Sequence, residues 1–168
     1  MDVVIISVLF YAALYDIREN KIPNLSVVAI IALSLLQPIY QTMISGTFNF
    51  SVLLDPIFGL FISFTICFLL YLTGLFGAGD AKLLASLGAT VGFPHLLLLV
   101  ATAISIAGIL SLLRVACYGE LFDLLKRWYQ TIFYNVYQPP EINSVASSAI
   151  PMGGAILLAT LYCHFYLF

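Results

Sequence analysis

Two aspartates stand out in a chain that carries few charges. Of its 168 residues, 62% are hydrophobic and 8% are charged, whereas a soluble domain usually has about 25% charged residues. Asp16 lies in DIRENKIPN, and Asp80 lies in GLFGAGDAKLLASLGA. A carboxylate at membrane depth costs about 2.5–3.5 kcal/mol on insertion scales, so such residues usually have a function. The two carboxylates are therefore the first candidates for chemistry.

Counting along the chain places both aspartates at a similar depth. Asp16 follows roughly 22 Å of helix from the chain start, and Asp80 precedes Pro94 by about 21 Å at the usual helical rise. Both carboxylates then lie a few ångströms below the same membrane surface. A single aspartate at a helix end would be interpreted as a cap or as a contact with interfacial water. Two at matched depth favour a shared function.

A close pair of carboxylates could hydrolyse an amide. Double ionisation is disfavoured in a low-dielectric site, so the pair shares one proton. The ionised partner can take a proton from water while the protonated partner donates to the carbonyl oxygen. Gly74, Gly77 and Gly79 would let the backbone unwind or approach an extended peptide closely. Tight helix packing is the alternative interpretation of these glycines.

The sequence offers few residues that could support other mechanisms of hydrolysis. H-E-x-x-H and G-x-S-x-G motifs are absent from the sequence. His95 and His164 are expected at the opposite surface, and Lys82 has only Ser86, one turn away, as a possible nucleophile. We therefore expect neither a metal nor another cofactor, and no basic run suggests nucleic acid. The cysteines are far apart and are interpreted as packing or lipid-facing residues: Cys67, Cys117 and Cys163.

The elements that must position the aspartates are membrane helices. About 20 apolar residues are needed to cross the hydrocarbon, and the sequence predicts an all-α, polytopic bundle forming one domain over residues 1–168. The first segment begins Met1-Asp2 and lacks the basic start of a signal peptide, so it is expected to be retained. The fourth of the six predicted spans is short. The spans are 1–18, 25–44, 54–74, 80–93, 95–117 and 145–168.

The basic residues predict the orientation of these spans. With six spans and both chain ends outside, every Lys and Arg falls on the cytoplasmic side, as the positive-inside rule requires. Both aspartates then lie near the cytoplasmic surface. The six residues are Arg18, Lys21, Lys82, Arg114, Lys126 and Arg127.

The longest loop predicts an interfacial amphipathic helix on the cytoplasmic side. Apolar residues recur there at helical spacing, with aromatic rings suited to the headgroup region. A membrane anchor is the simpler interpretation, and guidance of a membrane-embedded substrate is the alternative. The apolar positions are Leu121, Leu125, Trp128, Ile132 and Val136, with Phe122, Tyr129 and Phe133 beside them.

Two motifs together resemble the type IV prepilin peptidases, membrane-embedded aspartyl proteases with a G-x-G-D motif. The family pattern has an Asp followed by R-x-x-x-I-P-N, and later G-x-G-D-x-K. A third stretch, IPMGGAILLA at residues 150–159, resembles the start of the family's last helix. The matching positions are Asp16, Arg18, Ile22, Pro23, Asn24, Gly77, Gly79, Asp80 and Lys82.

The resemblance implies removal of a short basic leader from prepilin-like proteins at the cytoplasmic face of the cell membrane. Asp16 and Asp80 would be the catalytic pair, and Lys21 or Lys82 would orient them or the substrate. The other residues implied in the motif or in substrate positioning are Gly77, Gly79, Arg18, Pro23 and Asn24.

The sequence differs from the larger bacterial members of that family. They have an additional cytoplasmic region, often with paired C-x-x-C motifs, that is associated with N-methylation. Here only a few residues separate the first two helices, so we expect no methyltransferase activity. The short form is more similar to peptidases of tight-adherence pili and to archaeal preflagellin peptidases. The presenilin class also uses YD and GxGD, but on adjacent late helices.

Two functions of other classes were compared with the peptidase. A small proton- or ion-coupled transporter could use the same carboxylates, but few polar residues continue the path through spans two, three and five. A purely structural assembly subunit leaves the paired aspartates and the IPN segment unexplained. The peptidase is therefore the preferred prediction.

Overall fold

The computed structural model describes residues 3–46, 50–74, 76–135, 139, 144 and 151–166. Every regular element in these residues is an α-helix, so the all-α prediction is confirmed for the described part of the chain. The helices are α1 (Val3–Glu19), α2 (Asn24–Ser45), α3 (Phe50–Leu72), α4 (Ala78–Val91), α5 (His95–Cys117), α6 (Leu121–Tyr134) and α7 (Met152–Tyr166).

The chain divides into two compact units. One consists of Met1–Ile104 and Pro151–Phe168, and the other consists of Ser105–Ile150. The first unit contains α1 to α4, the beginning of α5, and α7. The second contains the remainder of α5 and α6. The single domain over residues 1–168 stays a prediction.

Among the described residues, three helices are long and apolar enough to cross a membrane: Asn24–Ile44, Leu54–Leu72 and His95–Cys117. The last helix, α7, is apolar but shorter, while α1 and α4 have 17 and 14 residues. Six crossings therefore stay a prediction. Residues 1, 2, 145–150, 167 and 168 of the predicted first and sixth spans lie outside the described residues.

The helix α3 extends beyond the predicted third span. That span, 54–74, begins where the membrane-span candidate Leu54–Leu72 begins, whereas α3 itself begins at Phe50. Asp55 therefore lies inside the helix. Pro56 lies inside α3, where a proline lacks the N–H group that would bond to the residue four positions earlier. The helix nevertheless continues through Pro56 to Leu72.

The buried face of α1 carries Asp16 into the first unit. Its buried residues recur every three or four positions, which is the spacing of one helical face. This helix packs against α2 and α7, and alanine and glycine on the buried faces let helices approach closely. The buried residues of α1 are Ile5, Leu9, Ala12, Ala13 and Asp16.

The short helix α4 is almost fully enclosed by α2, α3 and α7. It packs against all three, and its residues 83–89 are all buried. A methyl group on Gly59 of α3 would lie 2.5 Å from the backbone oxygen of Gly88, so these two helices meet backbone to backbone. Ser34 of α2 and Thr90 of α4 share a hydrogen bond of 2.6 Å. The position of α4 is thus defined by close packing and by one polar contact.

An open cavity with a mixed polar and apolar lining lies at the C-terminal end of α4. Its volume is about 240 Å³. Three helices and the glycine that ends α4 contribute its lining. The lining residues include Gln37 and Gln41 of α2, Asp55 of α3, and Thr90 and Gly92 at the end of α4.

The second unit contains the predicted amphipathic helix. The structure forms α6 over Leu121–Tyr134 and buries none of its residues. Tyr129 contacts Phe133, with ring centroids 4.7 Å apart. Val136, which was predicted to extend the apolar face, lies outside the described residues.

Candidate active site

Asp16 is a buried carboxylate in the last turn of α1, with 5% of its surface exposed. Its Oδ2 accepts a hydrogen bond of 2.7 Å from the backbone N–H of Gly153. Gly153 lies in the first turn of α7, where backbone N–H groups have no partner within the helix. The carboxylate therefore satisfies a free donor of another helix, and the C-terminal end of α1 meets the N-terminal end of α7 at this point.

Asp80 lies in the first turn of α4 and is half-buried. Its Oδ2 accepts a hydrogen bond of 3.2 Å from the backbone N–H of Gly77, the residue that caps this helix. A methyl group on Gly77 would lie 2.9 Å from the same oxygen. Within the G-x-G-D motif, the backbone N–H of the first glycine therefore holds the carboxylate of the aspartate.

The two carboxylates are close enough for the charge of Asp16 to act on Asp80. The helices that carry them are connected through neighbours, because α2 and α7 each pack against both α1 and α4. The carboxylates lie at the C-terminal end of α1 and at the N-terminal end of α4. The structure thus brings the two predicted catalytic residues to one end of the first unit.

The segment after Asp16 turns back onto the second motif. Asn20 adopts a left-handed conformation (φ 50°), which asparagine tolerates better than most residues. Pro23 then caps α2 in an extended conformation. A methyl group on Gly79 would lie 3.4 Å from Cβ of Ile22, so the IPN segment packs directly on the G-x-G-D motif.

The remaining residues that were predicted to position the substrate lie on the surface of this end. Pro23 is half-buried, and the polar ones are exposed. They can therefore meet a substrate that approaches from water or from the membrane surface. The exposed residues are Arg18, Lys21, Asn24 and Lys82.

The structure gives no support to Lys82 and Ser86 as a catalytic pair. Lys82 is exposed, whereas Ser86 is fully buried and donates its hydroxyl to the backbone oxygen of Leu83 over 2.7 Å. In the described part of the chain, no group of three or more His, Cys, Asp or Glu residues could hold a metal ion.

Gly153 is the contact that sequence reasoning missed. The stretch IPMGGAILLA was noted only as the start of the last helix. Its proline and two glycines in sequence mark a helix start with an accessible backbone. That signal predicts a free N–H donor but does not identify the acceptor, which lies 137 residues away along the chain.

Comparison with known proteins bears on this arrangement. A model of the type IV leader peptidase family matches residues 3–112, which is more than half of the chain and includes both aspartates. Searches of curated proteins and of solved structures gave no significant match. The family match confirms the resemblance inferred from the two motifs. The chain belongs to the type IV leader peptidase family.

Proposed function

We propose that the protein is an aspartic endopeptidase that removes the leader of a prepilin-like protein. The observation that carries the proposal is the meeting of Asp16 and Asp80 at one end of the first unit, within electrostatic reach of each other. Family membership indicates protease activity, and it gives no support to the transporter hypothesis.

The proposed reaction needs one proton shared between the two carboxylates. The ionised carboxylate takes a proton from a water molecule, and the resulting hydroxide attacks the carbonyl carbon of the scissile amide. The protonated carboxylate donates to the carbonyl oxygen. The carboxylate that took the proton from water then gives it to the amide nitrogen, and the other carboxylate takes its own proton back from the hydroxyl formed at the carbonyl oxygen. The C–N bond breaks, and both carboxyl groups return to their starting protonation states.

The proposed substrate is a peptide with a short basic leader, a glycine before the scissile bond, and a following hydrophobic helix. That helix would lie in lipid beside the enzyme, which leaves the scissile bond near the membrane surface. We assign contacts with this peptide to the exposed Arg18, Lys21, Asn24 and Lys82, with Pro23 holding the turn between the first two helices.

The proposed setting is the cytoplasmic face of the cell membrane. A multi-pass bundle with both chain ends outside places every basic residue on that face. The amphipathic helix α6 would lie along the same surface. We propose no cofactor and no methylation of the new N-terminus.

The first prediction concerns the catalytic pair. Asp16→Asn and Asp80→Asn should each lower the cleavage rate by about 10²–10⁴-fold, because general acid–base catalysis contributes that much. The measurement is leader removal from a co-expressed substrate of the proposed type in membranes, followed by mass spectrometry of the product. Cleavage at near wild-type rate by either variant would rule out the two-aspartate mechanism.

Asp55→Asn is the matched control for this experiment. It removes the same charge from an exposed carboxylate that lines the cavity at the other end of α4, so cleavage should stay at the wild-type rate. The mass of the product also tests methylation, because the proposal expects a free amine without an added methyl group.

A further inference from the structure

We propose that Gly153 is a positioning residue that holds the carboxylate of Asp16 in the orientation needed for catalysis. The inference rests on the proposed function, because it gives Gly153 a role through Asp16. It adds α7 to the site, although the family match ends at residue 112.

The contact between the two residues is short and enclosed. The backbone N–H of Gly153 donates to Oδ2 of Asp16 over 2.7 Å, and both residues are buried. A methyl group on Gly153 would lie 3.0 Å from both Cβ and Oδ2 of Asp16, and 3.3 Å from its Cγ. Glycine is therefore the residue that lets the carboxylate reach the helix backbone.

The hydrogen bond gives a partner to two groups at once, the buried carboxylate and a backbone N–H at the start of a helix. A buried carboxylate needs a hydrogen-bond donor, since an unpaired one is costly. The first turn of a helix offers free N–H groups and the positive end of the helix dipole, which complements a negative charge. Because the bond holds Oδ2 at the start of α7, it also fixes the orientation of the other carboxylate oxygen, Oδ1.

The next residue provides an internal comparison. A methyl group on Gly154 would meet no atom within 4 Å. Both glycines lie in the first turn of α7, so replacing either by alanine changes helix propensity by a similar amount. The two substitutions therefore differ mainly in what the new methyl group contacts.

The kinetic test compares Gly153→Ala with Gly154→Ala. The first should lower kcat by about 10-fold, because the carboxylate must shift by a few tenths of an ångström and a misplacement of 1 Å can cost about 10²-fold, and it should leave KM within about twofold. The second should leave both unchanged. Wild-type kcat in Gly153→Ala, an equal loss in Gly154→Ala, or a change in KM alone would overturn the proposal.

A stability measurement keeps the proposal testable if Gly153→Ala folds poorly. In an Asp16→Gly background, the three nearest atoms that the methyl group would meet are gone. Gly153→Ala should therefore lower the unfolding temperature less in this background than in the wild type, which is the coupling expected of residues in contact. Equal effects in both backgrounds would contradict the contact.

These outcomes separate the inference from the proposed function. Wild-type cleavage by Asp16→Asn would end the two-aspartate mechanism, whatever Gly153 contacts. Loss of cleavage in Asp16→Asn with wild-type kcat in Gly153→Ala would end only the positioning role.

Discussion

At the scale of residues, the glycines of the G-x-G-D motif serve different purposes. The sequence suggested that they loosen the backbone for a substrate. Gly77 adopts an extended conformation (φ −69°, ψ 155°) that any residue can adopt, and Gly79 lies inside α4. At Gly77 the missing methyl group leaves space that Asp80 fills, whereas a methyl group on Gly79 would make nearly ordinary contact with Ile22.

Alanine substitutions should separate the two glycines. Gly77→Ala should lower kcat by about 10–10²-fold, because its methyl group would push Asp80 from its hydrogen bond and small misplacements of reacting groups are costly. Gly79→Ala should cost less, since its methyl group would make nearly ordinary contact with Ile22. The measurement is steady-state cleavage at equal enzyme concentration. A greater loss in Gly79→Ala would contradict this account.

The sequence predicts the aspartates better than it predicts their partners. An acidic residue in an apolar chain is costly, so Asp16 and Asp80 are conspicuous without any structure. The donor to Asp16 is a backbone N–H, which every residue except proline carries. Its identification as Gly153 requires the packing of α1 on α7, which no local pattern encodes.

At the scale of elements, α6 is a helix whose side chains are not covered by the rest of the protein. None of its residues is buried, yet it carries several aromatic side chains, and 63% of the surface of Trp128 is exposed. An amphipathic helix with this composition is suited to a membrane surface. The sequence predicted its helical spacing correctly, because a period of 3.6 residues is a local property.

The position of α6 can be tested without any substitution. Trp128 is the one tryptophan of the chain, so the intrinsic fluorescence reports on this helix alone. In vesicles, lipids brominated near the headgroup should quench its emission more than lipids brominated near the chain end. Equal exposure to an aqueous quencher with and without lipid would contradict a membrane-surface location.

At the scale of the whole molecule, the cysteines offer a test of orientation. Cys117 is exposed, whereas Cys67 and Cys163 are buried, so a membrane-impermeant maleimide should label Cys117 in the native protein. The positive-inside prediction places Cys117 near the cytoplasmic side, beside Arg114. We expect labelling in inside-out vesicles but not in intact spheroplasts.

Two controls accompany the labelling experiment. Cys117→Ser should abolish the signal in inside-out vesicles, and denaturation should expose the two buried thiols and restore it. Labelling of Cys117 from the outside of intact spheroplasts would reverse the proposed orientation.

Helix boundaries show where prediction from sequence was sufficient. The predicted second and fifth spans, 25–44 and 95–117, nearly coincide with α2 and α5. Polar or glycine residues at both ends of a long apolar run mark where the helix begins and ends. The predicted third span, 54–74, agrees with the membrane-span candidate Leu54–Leu72, although α3 itself begins at Phe50. The short α4 was foreseen, but its enclosure by three helices was not, because it depends on tertiary contacts.

The brevity of α4 has a consequence for the membrane itself. It has eight residues fewer than α2, which is about 12 Å of helix at the usual rise. Its N-terminal end carries Asp80, and its C-terminal end borders the open cavity lined in part by Gln37, Gln41 and Asp55. Water admitted at both ends would leave a hydrocarbon layer locally much thinner than the surrounding bilayer. Under the proposed function, such a thin layer would lower the free-energy cost of bringing a charged leader to Asp16 and Asp80.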